Sequence, residues 1–338
     1  MARAMKKLRV LVLLHEGLVP PEDLEAVSEQ ELFDVKTEYD VVAALDNMGH
    51  EVKTLGVSDE VRPIRRAVER WRPDIVFNLL EEFQGKAAYD HHVVAYLELL
   101  GIPYTGCNPR GLVIARDKAL TKKLLSYHRI PTPKFGVSRM GRKVRRPRAL
   151  EYPLIVKSLI EESSLGISKA SVVHDDEHLA ERVRMIHERI KTDAIVERFI
   201  EGRELYVGVL GNERLTVLPA QELVIADRDP KQPLVATESV KHHPDYQKRH
   251  GVEIVGLQAS DELQRKLDRM AKRVYRVLGL DGYARIDLRL DAQGRPFVLE
   301  ANPNAEIARY EEIASAAEAV GISYEELLQR VINFGLRR

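Results

Sequence analysis

The stretch Gly282-Tyr-Ala-Arg-Ile-Asp-Leu288, with Phe297-Val-Leu-Glu-Ala-Asn302 shortly after it, decides the fold of this chain. In each run polar residues alternate with apolar ones, a period of two that predicts a β-strand with one polar face. The connecting segment Asp291-Ala-Gln-Gly-Arg-Pro296 is rich in turn residues. The sequence therefore predicts that the two strands form a hairpin.

Four polar side chains come together when these strands pair. Side chains two positions apart share a face, which puts Arg285 beside Asp287 and Glu300 beside Asn302. Carboxylate and amide oxygens at this density suit Mg²⁺, whose coordination is usually completed by substrate phosphates. The pattern favours an enzyme that uses ATP. The alternative is that the acids are solvated on an exposed sheet face, where an Arg–Asp pair contributes little to stability.

The composition excludes several classes of protein. With 338 residues the chain is long enough for two or three domains. Lysine plus arginine equals aspartate plus glutamate at 52 each, so no overall charge points to a nucleic-acid partner. The single cysteine, Cys107, excludes internal disulfides and a cysteine-rich metal site, and it fits a reducing cytoplasm. We interpret Cys107 as a small packing residue.

The apolar runs are too short to predict a membrane span. Leu8–Leu14 follows two lysines, as in a signal peptide, but His15-Glu16 comes next without a small-residue cleavage site. A buried first strand is the better interpretation, and no membrane partner is expected.

The order of the predicted elements divides the chain into three regions. Over residues 1–108, buried-strand runs such as Leu8–Leu14 alternate with helical patterns such as Val35–Met48. This alternation predicts a parallel sheet covered by helices, with ligands beyond the strand C-termini. Residues 109–193, and residues 194–338 beginning with a strand at Ala194–Ile200, mix strands and helices. The predicted fold class is α/β.

Lysines and a serine-rich turn precede the hairpin in a definite order. Asp117-Lys118 begins a predicted helix, Lys157 ends a predicted strand, and the turn Glu161-Glu-Ser-Ser-Leu-Gly166 follows. The segment Val196–Glu204 comes next. With these motifs in this order, the chain resembles the ATP-grasp superfamily, and within it the D-alanine–D-alanine ligase group, from about Phe77 onward.

The resemblance implies a three-part ATP-grasp architecture. Residues 1–108 would form a Rossmann-like preATP-grasp domain with a parallel sheet. Residues 109–193 would form the central ATP-grasp lobe, and residues 194–338 the C-terminal lobe that carries the metal and nucleotide site. The two α+β lobes would clasp ATP between them.

The resemblance also implies roles for the charged residues. Lys118 and Lys157 look like the two lysines that bind the ATP phosphates, and Arg285 looks like the catalytic arginine nearest the γ-phosphate. Lys241, within the polar loop at residues 226–251, resembles a further phosphate lysine with a catalytic role. Two Mg²⁺ ions, replaceable by Mn²⁺, would be bound by Asp287, Glu300 and Asn302.

The remaining nucleotide contacts follow from the same resemblance. The phosphate turn would use Ser163 and Ser164, the latter also in catalysis, while adenosine would be bound by Glu197, Phe199, Ile200, Glu204 and Leu299. Glu204 is similar to the ribose-binding acid, because a carboxylate accepts two hydroxyls well. An ordinary hairpin turn and plain core positions for Phe199 and Leu299 are the alternatives.

The chemistry of this family is ligation of a carboxylate to an amine through an acyl phosphate. The substrates would be small molecules, amino acids or peptides, and catalysis would consist mostly of positioning and charge neutralisation. Alternatives are a ligase that joins an amino acid to an acid other than D-alanine or to a peptide, and an ATP-binding module without catalysis. A homodimer stays open.

The chain departs from the family where substrates other than ATP bind. The run after Asn302 is Pro303–Tyr310, in which Glu306 and Arg309 replace the family's small residues. Glu306 would repel an acceptor carboxylate unless Arg309 points inward, so D-alanine is expected to be a poor substrate. Glu16 is a positional candidate for orienting the first substrate, and a surface acid is the alternative.

Overall fold

The computed structural model describes residues 6–21, 29–161, 165–229 and 232–338. Its strands are β1 (Arg9–His15), β2 (Glu51–Val57), β3 (Ile75–Asn78), β4 (Phe135–Ser138), β5 (Leu154–Ser158), β6 (Val172–Val173), β7 (Ala194–Arg198), β8 (Arg203–Leu210), β9 (Thr216–Val217), β10 (Gln221–Ile225), β11 (Val252–Gly256), β12 (Tyr283–Leu290) and β13 (Pro296–Pro303).

Its helices are α1 (Glu29–Asp34), α2 (Lys36–Asn47), α3 (Arg62–Trp71), α4 (Asp90–Leu99), α5 (Pro109–Arg116), α6 (Lys118–Tyr127), α7 (Asp176–Met185), α8 (Glu238–His242), α9 (Pro244–His250), α10 (Asp261–Val277), α11 (Glu312–Glu318) and α12 (Tyr324–Gly335). Among them, none is both long and apolar enough to cross a membrane.

The N-terminal sheet is parallel, as the alternation of strands and helices predicts. Its order is β2-β1-β3, and β1 is the middle strand. The five residues at the centre of β1, Val10 to Leu14, are buried, because a middle strand with helices on both faces exposes neither face. The strand C-termini at His15 and Asn78 lie at the same edge of the sheet.

A four-stranded antiparallel sheet, in the order β4-β7-β5-β6, follows in the chain. The strand at Ala194–Arg198, which the sequence analysis assigned to the C-terminal region, is a central strand of this sheet. It pairs Glu197 with Phe135 of β4 and Ile195 with Lys157 of β5. A strand's own residues do not determine which sheet it joins, because every exposed strand edge offers the same backbone groups. The boundaries at residues 108 and 193 stay predictions.

The hairpin predicted from the sequence is the end of a six-stranded sheet with the path β11-β10-β8-β12-β13, where β9 also pairs with β8. Strands β12 and β13 are antiparallel, with Arg285 opposite Asn302 and Asp287 opposite Glu300. The register shifts between Asp287 and Leu288, which re-aims side chains at this point of the strand. The four polar residues are therefore neighbours, as predicted.

Two segments differ from the sequence expectations. The sequence of Ile167–Val173, after the serine-rich turn, predicts one strand, but the structure has a short 3-10 helix at Lys169–Ser171 and only Val172–Val173 in strand. The polar loop at residues 226–251 contains α8 and α9, with Thr237 capping the first of them. Short helices of five and seven residues have too few positions to show a helical period in sequence.

The hydrophobic core joins the N-terminal and C-terminal sheets. One cluster combines Leu11 and Leu13 of β1 with Ile286 and Leu288 of β12, and it includes the fully buried Cys107. Burial raises the pKa of the Cys107 thiol above its ordinary value, which agrees with a packing role. Because the two sheets share this core, the carboxyl edge of the parallel sheet is held against the polar face of the hairpin.

Gly282 is required where the chain enters β12. Its φ is +70°, and a Cβ there would press against the backbone carbonyl of Gly106. Gly294, in the hairpin turn, also has φ +70° but has open space at its Cβ position. We expect Gly294→Ala to lower the free energy of unfolding by about 1 kcal/mol, and Gly282→Ala by about 3 kcal/mol or more.

Urea denaturation of both variants measures this difference, and Gly294→Ala is the matched control for backbone strain alone. Equal losses in the two variants would show that the close approach to Gly106 contributes nothing.

Candidate active site

One face of β12 carries three charged side chains in alternation. Arg285 donates from Nε to Asp287 Oδ1 at 2.8 Å and from Nη2 to Asp287 Oδ2 at 3.1 Å. Two residues further on, Arg289 donates to Glu204 Oε2 on β8 at 2.7 Å. Arg289 was not predicted, although extending the alternation by one step would have found it.

Arg285 is fixed from three sides. Besides Asp287, its Nη1 is 3.1 Å from Glu312 Oε2, and its guanidinium lies over the ring of Tyr206 at 4.9 Å. Although burial favours the neutral form, Asp287 and Glu312 raise the pKa of Arg285 well above its usual value. The arginine is therefore a permanent, oriented cation. Glu312 belongs to α11, and no spacing in the sequence links it to β12.

Glu300 on β13 lies among lysines. Its Oε2 is 3.9 Å from Lys118 Nζ, and Lys118 also donates to the backbone carbonyl of Glu161 at 2.5 Å. Burial alone would raise the pKa of Glu300, but Lys118, Lys157 and Lys241 lower it to about 2. The carboxylate is therefore ionised at all physiological pH values. Lys118 is the first residue of α6, positioned by Asp117, whose side chain caps that helix.

The residues predicted to bind metal fit Mg²⁺ by their chemistry. Asp287 and Glu300 provide carboxylate oxygens and Asn302 provides an amide oxygen, while the buried Nδ2 of Asn302 has no hydrogen-bond partner among the described residues. Within the described ranges, no three His, Cys, Asp or Glu side chains are arranged to hold a metal ion. Two carboxylates and an amide leave the coordination of Mg²⁺ to be completed by substrate phosphates.

A buried ion pair network lies beneath this cluster. Glu197 Oε1 is 3.3 Å from Lys122 Nζ, and Glu197 Oε2 is 3.9 Å from Lys157 Nζ. Lys122 is fully buried and donates to the carbonyl of Leu299 at 2.9 Å. Burial lowers the pKa of Lys122, whereas Glu197 and then Glu300 raise that of Lys157 against the effect of burial. Lys122, which was not predicted, is one helical turn after Lys118.

A narrow pocket lies between the four-stranded and six-stranded sheets. It is lined by Lys118, Lys157, Glu204, Lys241 and Leu299 among others, and its volume is about 40 Å³. Small-molecule sites usually offer a few hundred Å³, so the two walls must separate for a nucleotide to enter. Five residues predicted from separate motifs thus line one space.

The other predicted adenosine contacts are less accessible. Phe199 and Ile200 are buried, and Phe199 packs with Ile155, Val172 and Val235. Glu197 is 1% exposed and is bound to the two lysines instead of lining the pocket. The first four residues of β7, 194–197, are buried, and contact of Glu197 with adenine stays a prediction.

Three predicted residues are not placed with this cluster. Ser163 and Ser164 lie outside the described residues. Glu16 is exposed in the short 3-10 turn after β1 and does not line either space at the site. Leu18, two residues further on, lines a wide cavity that adjoins the narrow pocket.

A wide cavity adjoins the narrow pocket on the other side of Glu300. Its volume is about 600 Å³, and Lys241 and Glu300 line both spaces. Its walls come from α2, the loop after β3, the segment 302–312 and the α8–α9 region. A molecule in the cavity therefore meets a molecule in the pocket at the Lys241 and Glu300 side chains.

Comparison with known proteins decides the family. The family model described as D-ala D-ala ligase C-terminus matches residues 124–333, more than half of the chain. The chain belongs to the D-Ala–D-Ala ligase family. A D-alanine–D-alanine ligase of Syntrophotalea carbinolica is 32% identical over 86% of this chain and 87% of that protein. An uncharacterised protein of Sinorhizobium fredii is 33% identical over 88% of this chain and 87% of its own length.

Solved structures agree with this family in fold. D-alanine–D-alanine ligase from Bacillus anthracis, complexed with ATP, superposes with a TM-score of 0.76 at 23% identity, covering 98% of each chain. The VanG D-Ala:D-Ser ligase of Enterococcus faecalis gives a TM-score of 0.72 at 19% identity, covering 98% of this chain and 100% of that one. The predictions of an α/β ATP-grasp fold and of an ATP-dependent ligase similar to D-alanine–D-alanine ligases are confirmed.

Glu38 makes stability depend on pH. It lines the cavity from α2 while only 5% exposed, and burial raises its pKa from 4.5 to about 7. Because the folded-state pKa exceeds the unfolded one, the folded protein keeps this proton between these values, and stability falls as pH rises through the window. We expect Glu38→Gln to have little effect below pH 5 and to stabilise by about 3 kcal/mol at pH 8.

Denaturant unfolding of Glu38→Gln at pH 5 and pH 8 measures this change. Asp46→Asn, on the exposed side of the same helix, is the control and should give the same stability difference at both pH values. A Glu38→Gln effect that does not change with pH would contradict a protonated Glu38.

Proposed function

We propose that this ligase transfers the γ-phosphoryl group of ATP to a carboxylate and joins the resulting acyl group to an amine. The observation that carries the proposal is Glu300, an ionised acid among Lys118, Lys157 and Lys241, at the junction of the narrow pocket and the wide cavity. The nucleotide occupies the pocket, and the other substrates occupy the cavity.

The lysines and the acids divide the work on ATP. Lys118, Lys157 and Lys241 neutralise phosphate oxygens, since two opposite charges 4 Å apart attract by about 4 kcal/mol near a protein surface. Asp287, Glu300 and Asn302 would hold Mg²⁺, which would supply positive charge beside the transferred phosphoryl group. Ser163 and Ser164 assist at the phosphates.

Arg285 acts where the acyl group reacts. The carboxylate oxygen of the acid attacks the γ-phosphorus, ADP leaves, and the amine nitrogen then attacks the acyl carbon. The C–O bond to phosphate breaks, and the nitrogen loses a proton. Arg285, held by Asp287 and Glu312, stabilises the oxyanion of the tetrahedral intermediate without needing to reorient.

Several finer assignments belong to the same proposal. Two Mg²⁺ ions act together, and Mn²⁺ replaces them. Glu197, Phe199, Ile200, Glu204 and Leu299 form the adenosine site, and Glu16 orients the acid. Amino acids or peptides are the substrates, the enzyme acts in the cytoplasm, and a homodimer is the proposed assembly.

The Mg²⁺ assignment predicts how ATP stabilises the protein. Thermal unfolding with ATP and excess Mg²⁺ should give a Tm about 5 °C or more above that with ATP and EDTA, because bare triphosphate meets Asp287 and Glu300. Glu300→Gln should remove most of this Mg²⁺-dependent part.

Glu318→Gln is the control, since Glu318 is exposed on α11 away from both spaces. A shift by ATP that is the same with Mg²⁺ and with EDTA in the native protein would contradict the metal assignment.

Turnover tests the reaction itself. We expect ADP release to require both an acid and an amine, with a condensed product detected by mass. Arg285→Lys should reduce turnover about 100-fold or more. It should keep the fold, because lysine leaves a cation between Asp287 and Glu312, whereas Arg285→Ala would bury two unpaired acids.

Arg295→Lys is the matched control, because Arg295 is an exposed arginine of the hairpin turn paired with Asp291. ADP release that needs neither substrate, or Arg285→Lys turnover equal to that of Arg295→Lys, would overturn the proposed reaction.

A further inference from the structure

The wide cavity has an excess of negative charge. Among the described side chains that line it, eight are carboxylic acids, of which Glu38 keeps its proton up to about pH 7, and three are cationic: Arg116, Lys241 and Arg285. Each of the three already faces an acid. Arg116 donates to Asp90 at 2.6 Å, Arg285 binds Asp287 and Glu312, and Lys241 lowers the pKa of Glu300 and Glu312. Away from the junction with the pocket, where Lys241 meets the reacting carboxylate, the cavity therefore has no described lining cation that is not already beside an acid.

The excess concentrates on the segment that follows Asn302. Glu306 Oε1 accepts a hydrogen bond from Thr37 at 3.2 Å, while Glu311 pairs with Lys36 at 2.6 Å. Glu306 is exposed, but it faces the cavity and the protein around it. The surrounding protein partly removes water from the Glu306 carboxylate. This desolvation, and then the charges of Glu311 and Glu312, raise the pKa of Glu306 to about 7. A group in this state is stabilised as an anion when a cation binds beside it.

Arg309 does not compensate for these acids. Its guanidinium donates to Glu325 at 2.5 Å and lies over the ring of Tyr324 at 4.3 Å. Its backbone N–H donates to Asp40 at 2.9 Å, which fixes the turn in this direction. Arg309 is not among the residues that line the cavity, so the open question from the sequence is settled in favour of an acidic wall.

We propose that the amine substrate of this ligase carries a second ammonium group, which ion-pairs with Glu306 and its neighbours Glu311 and Glu312. The substrate class is therefore a diamine or a diamino acid. This inference rests on the proposed ligase function and specifies its acceptor.

The position of the cavity glutamates indicates which of the two substrates carries the extra positive charge: the amine substrate, and not the carboxylate substrate. The reacting carboxylate belongs at Lys241 and Glu300, where the cavity meets the pocket. Glu312 touches Arg285 from the cavity side, and Glu306 comes next to Glu312. The attacking nitrogen must be uncharged, so it cannot be the ion-pairing group.

Four probes separate the effect of the second ammonium from that of a carboxylate. They are lysine and norleucine, which differ in the ammonium, and 1,5-diaminopentane and 1-aminopentane, which differ in the same way without a carboxylate. Binding of each is measured by calorimetry to the full-length protein with Mg²⁺ and ADP, using both enantiomers of the amino acids. We expect the better enantiomer of lysine, and the diamine, to bind at least about 10-fold tighter than their neutral partners.

Variants assign the effect to the cavity wall. Glu306→Gln should reduce the preference for the second ammonium at least about 5-fold, and Glu306→Lys should reverse it, so that glutamate binds better than lysine. Glu318→Gln, an exposed acid on α11, should leave the preference unchanged. Equal binding of ammonium-bearing and neutral probes, no binding of any probe, or an unchanged preference in Glu306→Gln would each overturn the proposal.

ADP release with the same amines, each paired with D-alanine, L-alanine, glycine and succinate, separates this inference from the ligase function. Neutral amines that are ligated as fast as diamines would refute the cationic acceptor while leaving the ligase intact. Diamines that bind through Glu306 without ADP release from any of these pairs would support the cation site and contradict the ligase reaction with these acids.

Discussion

The ion pair between Arg285 and Asp287 on β12 is the interaction on which the site depends. Both charges are almost completely buried, so each would be costly without the other. The pair requires the alternation of β12 and the neighbouring β13, and it determines where Glu312 can lie. A rigid arginine then faces the cavity, and Asp287 faces Glu300 across the hairpin. The charged side chains of β12 and β13 are thus held by the sheet, while Lys241 and Glu312 come from helices α8 and α11.

Charge is separated across this pair. On the pocket side, Lys118, Lys157 and Lys241 surround Glu300, an arrangement suited to the phosphates of ATP. On the cavity side, acids predominate, and Glu306, Glu311 and Glu312 follow one another on a single segment. Membership of the ligase family accounts for the lysines on the pocket side, since any ATP-dependent ligase needs cations for the triphosphate. The acids of the cavity side lie where we propose that the amine substrate binds.

Much of the fold and of the nucleotide side of the site was predictable. Strand alternation placed Arg285, Asp287, Glu300 and Asn302 together, and the β12–β13 register agrees. The helix beginning at Lys118 and the strand carrying Lys157 were found at nearly the observed bounds. The strand at Ala194–Arg198 was predicted too, but the sheet to which it belongs was not. Every strand edge offers the same backbone N–H and C=O groups, so a strand's own sequence does not identify its partner strand.

The sequence by itself determined which residues share a face within one strand or helix, because the periods of two and 3.6 are local. That was enough for the hairpin, and the order of the lysine, turn and hairpin motifs carried the resemblance to the family. Only the tertiary structure decided that Glu312 meets Arg285, that Lys122 and Lys157 share Glu197, and that Arg309 turns toward Glu325. Such pairs join elements far apart in the chain. Which residues pair in this way depends on how the elements pack and on which charges line a cavity. Both are determined only when the sheets come together around a common core.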